Sequence, residues 1–420
     1  MTARRTKNCA WKNLYELLGF LSFDLLLKKQ LKTQDNNNNN IRVFIFISIF
    51  LVFLFLYSSG LQLAFADSVI STVQLGGRPD ITGTQEEIVF DLNSGNGYVV
   101  NPALDGGVGG VSVIDTQNNT VTSNITIMDI PKSLYALPRE IALSPDNDNL
   151  YVSSLALLVN FSTGEVEERC TEQTSSTPCV VSVIDTQNNT VIKTIPVGVG
   201  VLPTGIAFNP DNGDMYVVNE KLNEGSKTVS VIDTQNNTVI KTIPVGNFTN
   251  DDIPNEIAFN PDNGDMYVVN EGNETVNAGN GSVSVIDTQN NTVIKTIPVG
   301  VLPTGIAFNP DNGTAYVVNQ ESRSVSVIDT QNNTVIKTIR LGNLPNDIAF
   351  NPDNRDMYVA GGFSNSVFAV DTQNNTVSQE IPVGEGALSI AYNPNNGNMY
   401  VTNVLDNTIS VIDTVPSTTR

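Results

Sequence analysis

Histidine is missing from all 420 residues. Its absence removes the commonest general base and leaves haem iron without an imidazole ligand, so quinone- or haem-type redox work is a weak reading. Cysteine is nearly as scarce, limited to Cys9, Cys170 and Cys179. Two exported thiolates without any histidine offer too few soft ligands for a zinc site. Positive charge is the third shortage: 22 Lys and Arg stand against 43 Asp and Glu. Eight of those basic residues and three of the acidic ones precede Asp67, leaving 14 against 40 and a net charge of −26 beyond it. So acidic a surface repels phosphate backbones and anionic membranes, and it favours solubility and counter-cation uptake. Nucleic acid is not an expected partner.

What is present begins with a segment unlike the rest. Residues 1–66 hold a basic, Leu-rich lead, an Asn run at Asn36–Asn40, Arg42 and the apolar run Val43–Tyr57. A positive lead, an apolar core of roughly 15 residues and Ala64-Phe65-Ala66 before Asp67 form the three parts of a secretory signal, with cleavage expected after Ala66. The alternative is a retained membrane anchor, since residues 43–66 just reach across a bilayer if Ser48, Ser58 and Gln62 are tolerated. Either way the Lys and Arg before the apolar run hold that end inside and send residues 67–420 outside. Membrane contact is expected through this segment only. The lead itself reads as a misplaced start or a cytoplasmic stub. In an oxidising exterior Cys170 and Cys179 are expected to form a disulfide, with two free thiols at a loop base as the alternative.

The remainder is dominated by self-similarity. Val-Ile-Asp-Thr or a variant recurs seven times, with its Asp at 115, 185, 233, 287, 329, 371 and 413, and a Tyr-Val pair recurs with its Tyr at 98, 151, 216, 267, 316, 358 and 400. Within one unit, Gly305-Ile-Ala-Phe-Asn-Pro310 and Ala315-Tyr-Val-Val-Asn319 are short β-branched and aromatic runs. Ser324-Val-Ser-Val-Ile-Asp329 and Val335-Ile-Lys-Thr-Ile339 alternate apolar with polar. Turn-forming Asn-Pro-Asp-Asn-Gly and Asp-Thr-Gln-Asn-Asn-Thr segments separate them. Four strands per unit, a to d, and a 42-residue period over the last three units predict an all-β, seven-bladed β-propeller with four antiparallel strands per blade. Seven sets of a, b and c are followed by only six d strands. Ser68-Val-Ile-Ser-Thr-Val-Gln-Leu-Gly76 matches Thr292-Val-Ile-Lys-Thr-Ile-Pro-Val-Gly300 in spacing. This N-terminal strand is therefore expected to complete blade seven and close the ring, removing an open edge.

The unit Tyr-Val-Val-Asn, Ser-Val-Ser-Val-Ile-Asp-Thr-Gln-Asn-Asn-Thr-Val, Ile-Pro-Val-Gly, Leu-Pro-Thr-Gly-Ile-Ala resembles the YVTN-type β-propeller repeat, and Tyr400-Val-Thr-Asn403 spells its name. The resemblance covers nearly all of 67–420. It implies an exported protein of archaeal or bacterial type, in many members associated with a surface layer. It implies architecture and location more than activity, since most members have no known chemistry.

Strand alternation puts the a–b and c–d turns on one face and the b–c and d–a connections on the other. From the first Ile of strand a to the Tyr of strand b the spacing is ten in every unit, whereas from that Tyr to the Asp of strand c it is 17, 34, 17, 20, 13, 13 and 13. Length variation thus collects on one face, the expected place for binding on a repeat scaffold. The largest excess is Ser153–Val180 in blade two. It reads either as a recognition loop pinned at its base by Cys170 and Cys179 or as a tolerated, braced insertion.

Chemistry needs an asymmetric constellation, which a ring of seven equal Asp is not. Those Asp are expected to cap the c–d turns. Asn-Pro-Asp-Asn-Gly lacks the ligand spacing of a calcium loop and reads as a type I turn with Gly at positive φ. One position breaks the symmetry: the residue before the first Ile of strand a is Glu87, Glu140, Gly205, Glu256, Gly305, Asp347 and Ser389 around the ring. Four carboxylates, with Asn255 and Asn346 beside two of them, are a candidate hard-cation site for Ca2+ at the channel mouth. The alternative is a solvated, self-repelling rim partly offset by Arg139. No catalytic residues are assigned, and any mechanism would run on carboxylates and metal-bound water.

Twelve Asn-x-Ser/Thr sequons, at Asn118, Asn124, Asn160, Asn188, Asn236, Asn247, Asn273, Asn280, Asn290, Asn312, Asn332 and Asn374, are candidate glycan acceptors in an exported chain. Six belong to the repeated Gln-Asn-Asn-Thr turn, whose turn chemistry alone accounts for the recurrence. Two functions from different classes fit. The favoured one is a non-enzymatic binding scaffold at the cell envelope or surface, working through its variable-loop face on an envelope protein or glycan. The other is a calcium-dependent hydrolase at the channel mouth, by analogy with lactonase and gluconolactonase propellers, some of which hold a channel calcium.

Overall fold

A computed structural model describes residues 66–75, 87–101, 109–127, 134–160, 165–169, 179–198, 201–220, 227–245, 253–272, 281–362 and 364–414. The expected signal or anchor through Phe65 lies outside them, as do Cys170, Asn247, Asn273 and Asn280. Among the described residues no helix is long and apolar enough to cross a membrane.

The strands fall into seven antiparallel sheets, each running a-b-c-d. Blade one holds Ile88–Phe90, Asn96–Asn101, Gly110–Asp115 and Thr120–Thr126. Blade two holds Leu134–Ser144, Asn149–Asn160, Cys179–Asp185 and Thr190–Gly198, and blade three Leu202–Asn209, Asp214–Glu220, Thr228–Asp233 and Thr238–Pro244. Blade four is Pro254–Phe259, Met266–Asn270, Ser282–Asp287 and Thr292–Pro298; blade five is Pro303–Asn309, Thr314–Asn319, Ser324–Asp329 and Thr334–Arg340. Blade six is Asp347–Asn351, Asp356–Ala360, Ser366–Asp371 and Thr376–Pro382. Blade seven takes Ala387–Asn393, Asn398–Asn403 and Thr408–Asp413 from the C-terminal end, and its strand d is Ser68–Gln74.

Burial explains the sequence texture of each strand. Strands b and c are sandwiched between neighbouring blades, so Met266–Asn270 and Ser324–Asp329 are buried on both faces apart from the last Asp. Strand d is outermost, and in Thr292–Pro298 only Ile297 is buried. The core is accordingly divided into seven apolar clusters, one per seam between blades.

Each seam also carries a long-range hydrogen bond. The hydroxyl of Tyr151 donates to Asn237 at 2.6 Å, Tyr216 to Asn291 at 2.9 Å, Tyr267 to Asn333 at 2.8 Å and Tyr316 to Asn375 at 2.7 Å. The acceptor is the second Asn of the next blade's c–d turn, held at φ near +53° or +54°, a conformation Asn tolerates through local hydrogen bonding.

Closure occurs as the strand count requires. Ser68 pairs with Asp413 and Gln74 with Thr408, while Val73 and Leu75 bury against Ile88, Val99 and Ile114 of blade one. Two such side chains contribute about 1.5–3 kcal/mol each by leaving water. Blade seven has no c–d turn to supply an Asn, and Asp67 takes that role: its Oδ2 accepts the Tyr358 hydroxyl at 2.7 Å.

Six of the seven repeated Asp cap c–d turns as expected. Asp115 Oδ1 accepts the N–H of Gln117 at 2.8 Å, and Oδ2 accepts the Asn118 amide at 2.6 Å. Asp185, Asp233, Asp287, Asp329 and Asp371 do the same. Asp413 departs from the rule because its partner strand arrives from the other end of the chain. Its carboxyl is raised by burial and by the charge of Asp67. The Asn-Pro-Asp-Asn-Gly turns place Gly213, Gly264 and Gly313 at φ of +76°, +78° and +66°, as the turn reading required.

Blade two differs from the loop expected there. Its strand b continues to Asn160, nine residues past Tyr151, where the other b strands end two to four past theirs, and a fifth strand, Glu165–Arg169, pairs with it. The pairing of strands a and b extends with it, as far as Leu134 opposite Leu158. Five or more additional residues carry the sheet about 20 Å beyond the blade, at ~3.3 Å per residue. Cys179 at its base is disulfide-bonded.

Candidate functional site

Two of the four symmetry-breaking carboxylates, Glu140 and Glu256, sit at a defect in the strand ladder that recurs in five blades. In blade two the register jumps from Pro138 to Ile141, in blade three from Pro203 to Ile206, in blade four from Pro254 to Glu256, in blade five from Pro303 to Gly305 and in blade seven from Ala387 to Ile390. Each jump is a β-bulge at the start of strand a, and a bulge re-aims the neighbouring side chain. Proline suits the position because it has no N–H to lose from the ladder.

Strand a is the innermost of each blade, so its free edge faces the channel with unpaired N–H groups. The carboxylates satisfy them across the seams. Glu87 Oε2 accepts the Ile141 N–H at 3.2 Å, Glu140 Oε2 that of Ile206 at 3.0 Å, and Asp347 Oδ2 that of Ile390 at 2.8 Å. Asp347 also accepts the Ser389 hydroxyl at 2.9 Å and, through Oδ1, its neighbour's N–H at 2.7 Å. Glu256 Oε1 accepts the adjacent Ile257 N–H at 2.9 Å. A side chain is excluded at Gly205, where an added Cβ would lie 2.9 Å from Glu256 Cα, and crowded at Gly305, 3.1 Å from Asp347 Cα. Close approach of the next blade therefore explains why these two positions are glycine.

All four carboxyls line one cavity of about 380 Å3 with Thr304, Asn346 and Ser389. Its remaining wall is apolar, with Ile141, Ile206, Ile257, Ile306, Ile348 and Ile390 among its residues. No Lys or Arg lines it. Asn255 does not line it, and the charge of Arg139 acts instead on Glu220.

Burial raises the pKa of every member. Glu87 is pushed well up by desolvation and then by the charges of Glu256 and Asp347. Glu140 is raised by desolvation, by Glu256 and Glu87, and by a hydrogen bond with Glu256. Glu256 is pushed up to about 8 by burial, although that same bond favours its charged form. Asp347 is raised by burial and opposed by its three donors. Glu140 is 2% exposed, and its Oε1 meets no donor hydrogen. Contact between Glu140 and Glu256 therefore rests on a proton that the pair holds between them. As placed, no three acidic groups among the described residues converge closely enough to hold a metal ion, and both Asp347 oxygens are occupied by protein donors.

The bulge and the cross-seam bonds are what sequence reasoning missed. A signal was present in the recurring Pro three residues before the Ile, at Pro138, Pro203, Pro254 and Pro303. Among the sequons, the first Asn of the c–d turns at Asn118, Asn188, Asn236, Asn290, Asn332 and Asn374 are all exposed, on the face opposite the cavity mouth.

Fold and site together define a closed seven-bladed β-propeller with an acidic chamber at one end of its channel. Comparison with known proteins agrees on the fold. The model of a family described as Choice-of-anchor I domain matches residues 223–388, from the b–c connection of blade three to strand a of blade seven. A chain of Kuenenia stuttgartiensis hydrazine synthase superposes with a TM-score of 0.62 at 19% identity, covering 81% of this chain and all of that one. A chain of a mitotic checkpoint complex does so with a TM-score of 0.61 at 12% identity, covering 84% and 93%. At these identities the likeness is one of fold alone. No curated protein matches the sequence.

Proposed function

We propose that this chain is an exported, surface-associated propeller that binds an envelope protein or glycan, without chemistry of its own, through the face carrying the b–c and d–a connections. The observation that carries this reading is blade two, where one hairpin is drawn out beyond its blade and its base is tied by the disulfide of Cys179. A paired strand holds its shape before contact, so less order has to be imposed on binding than with a free loop. Where the extension leaves the blade, Leu137 stands opposite Leu155, both half-buried, and apolar side chains of this kind form interface cores. The match of 223–388 to a Choice-of-anchor I domain supports a surface setting. Glycans on the exposed c–d turns would leave this face free.

Cross-linking on intact cells tests the proposal. The wild-type chain should join a defined envelope component, and a variant with residues 155–178 replaced by a short turn should lose that product while keeping its melting temperature. An unchanged cross-link pattern would remove the extension as the recognition element.

A further inference from the structure

The chamber at the channel mouth carries an inference that does not depend on the partner-binding face. Its ionisable wall consists of Glu87, Glu140, Glu256 and Asp347, with no basic residue among the lining groups. One oxygen each of Glu87, Glu140 and Glu256 is used by a backbone N–H, and Asp347 spends both on protein donors. Glu140 Oε1 is buried and accepts no N–H or hydroxyl from the protein, its hydrogen-bonding neighbour being a second carboxyl, Glu256, a costly condition for two acidic groups. A ligand group that donates hydrogen bonds and brings positive charge relieves it.

Two observations narrow the chemistry of that group. A bare metal ion needs several oxygens within bonding distance of one point, and no three acidic groups converge in that way among the described residues. Beyond the polar end, the wall is built of Ile, Val, Ala, Phe259 and Tyr392, which suits a hydrocarbon and not a hydrated ion. A volume of about 380 Å3 lies in the range of small-molecule sites.

We propose that the chamber binds a small primary alkylammonium ion, its NH3+ group donating to Glu140 Oε1 and to the adjoining carboxyl of Glu256, and its alkyl body lying against the isoleucine wall. An ammonium has three donors, enough to serve both members of the Glu140–Glu256 pair, each of which keeps an oxygen free of backbone bonds. Desolvation raises the pKa of these groups, and a cation beside them would favour their charged forms. Asp347 has a different part: its bonds to blades six and seven hold the ring around the cavity.

Calorimetric titration of the full-length chain at pH 8 with n-butylammonium decides the matter, with n-butanol and Ca2+ as parallel arms. Saturable one-to-one binding of butylammonium is expected, with no heat from butanol and no displacement by equimolar Ca2+. Glu140→Gln keeps an acceptor for the Ile206 N–H while removing the charge, and it should weaken binding at least tenfold; Glu256→Gln should do likewise. Absence of binding by the wild-type chain would overturn the proposal whatever the variants do. Equal binding of butanol would reduce the site to an apolar pocket, and preferential binding of Ca2+ would make it a metal site; either result overturns it too.

Discussion

Two sets of carboxylates in this molecule are driven in opposite directions. On the constant face Asp115, Asp185, Asp233, Asp287 and Asp329 stand in water, and the amide hydrogens of their own turns hold them below the ordinary aspartate value. At the channel mouth Glu87, Glu140, Glu256 and Asp347 gather around one cavity, Glu140 buried and the others half-buried, and loss of solvent lifts all four. The first set is local, built from residues two and three apart. The second joins blades. Hydrogen-bond donors decide protonation where water is free, and desolvation decides it where water is not.

The contrast breaks most visibly at Asp347. Asp347→Ala removes the acceptor of three donors, two of them on blade seven, and should cost about 3 kcal/mol in urea unfolding, since buried donors left unmade cost about 1–3 kcal/mol each and the cavity admits some water. Next in size is the pH dependence of the Glu140 and Glu256 pair. Groups whose folded pKa is raised favour the folded state below the unfolded value near 4.5 and lose that advantage as pH rises toward the folded value, about 8 for Glu256. Stability of the wild type should therefore fall between pH 5 and 8, and Glu256→Gln should flatten that slope. A slope unchanged by the substitution would show that the pair does not control it.

Smaller still is the seam bond of Tyr316 to Asn375. Tyr316→Phe should lose about 1 kcal/mol, the usual net worth of a single hydrogen bond, by thermal unfolding compared at equal pH. The smallest effect is at the exposed turns. Asp287 has a lowered pKa, so its contribution is present above the unfolded value near 3.8 and disappears as pH falls through the folded one. Asp287→Asn should lower the melting temperature slightly at pH 7 and by less at pH 3. The opposite ordering would reverse the comparison.

Much of the fold is legible in the sequence because propeller signals are local. The Tyr and Asp spacings, the Asn-Pro-Asp-Asn-Gly turns and the six-against-seven strand count each depend on residues a few positions apart, and the structure keeps all of them. The closing strand was legible for the same reason, since Ser68–Gln74 repeats the pattern of every strand d. The blade-two extension was not. Its excess length was plain, but nothing in Leu155-Ala-Leu-Leu-Val-Asn160 distinguishes a long loop from a strand that continues, because pairing with Leu134–Leu137 decides it. Arg139 was likewise misjudged: adjacency to Glu140 in sequence suggested an offset to the rim, yet both lie in the bulge between Pro138 and Ile141, Arg139 does not line the cavity, and its charge serves Glu220.

By itself the sequence determined the repeat, the blade count, the strand that closes the ring and the acidity of the whole, since each follows from composition or short-range pattern. The tertiary structure alone decided what four scattered carboxylates do. Glu87 meets the Ile141 N–H 54 positions away, and Glu140 that of Ile206 at 66. Such contacts exist only because closing the ring brings innermost strands of successive blades side by side and shuts out the water that would otherwise keep those side chains charged and apart.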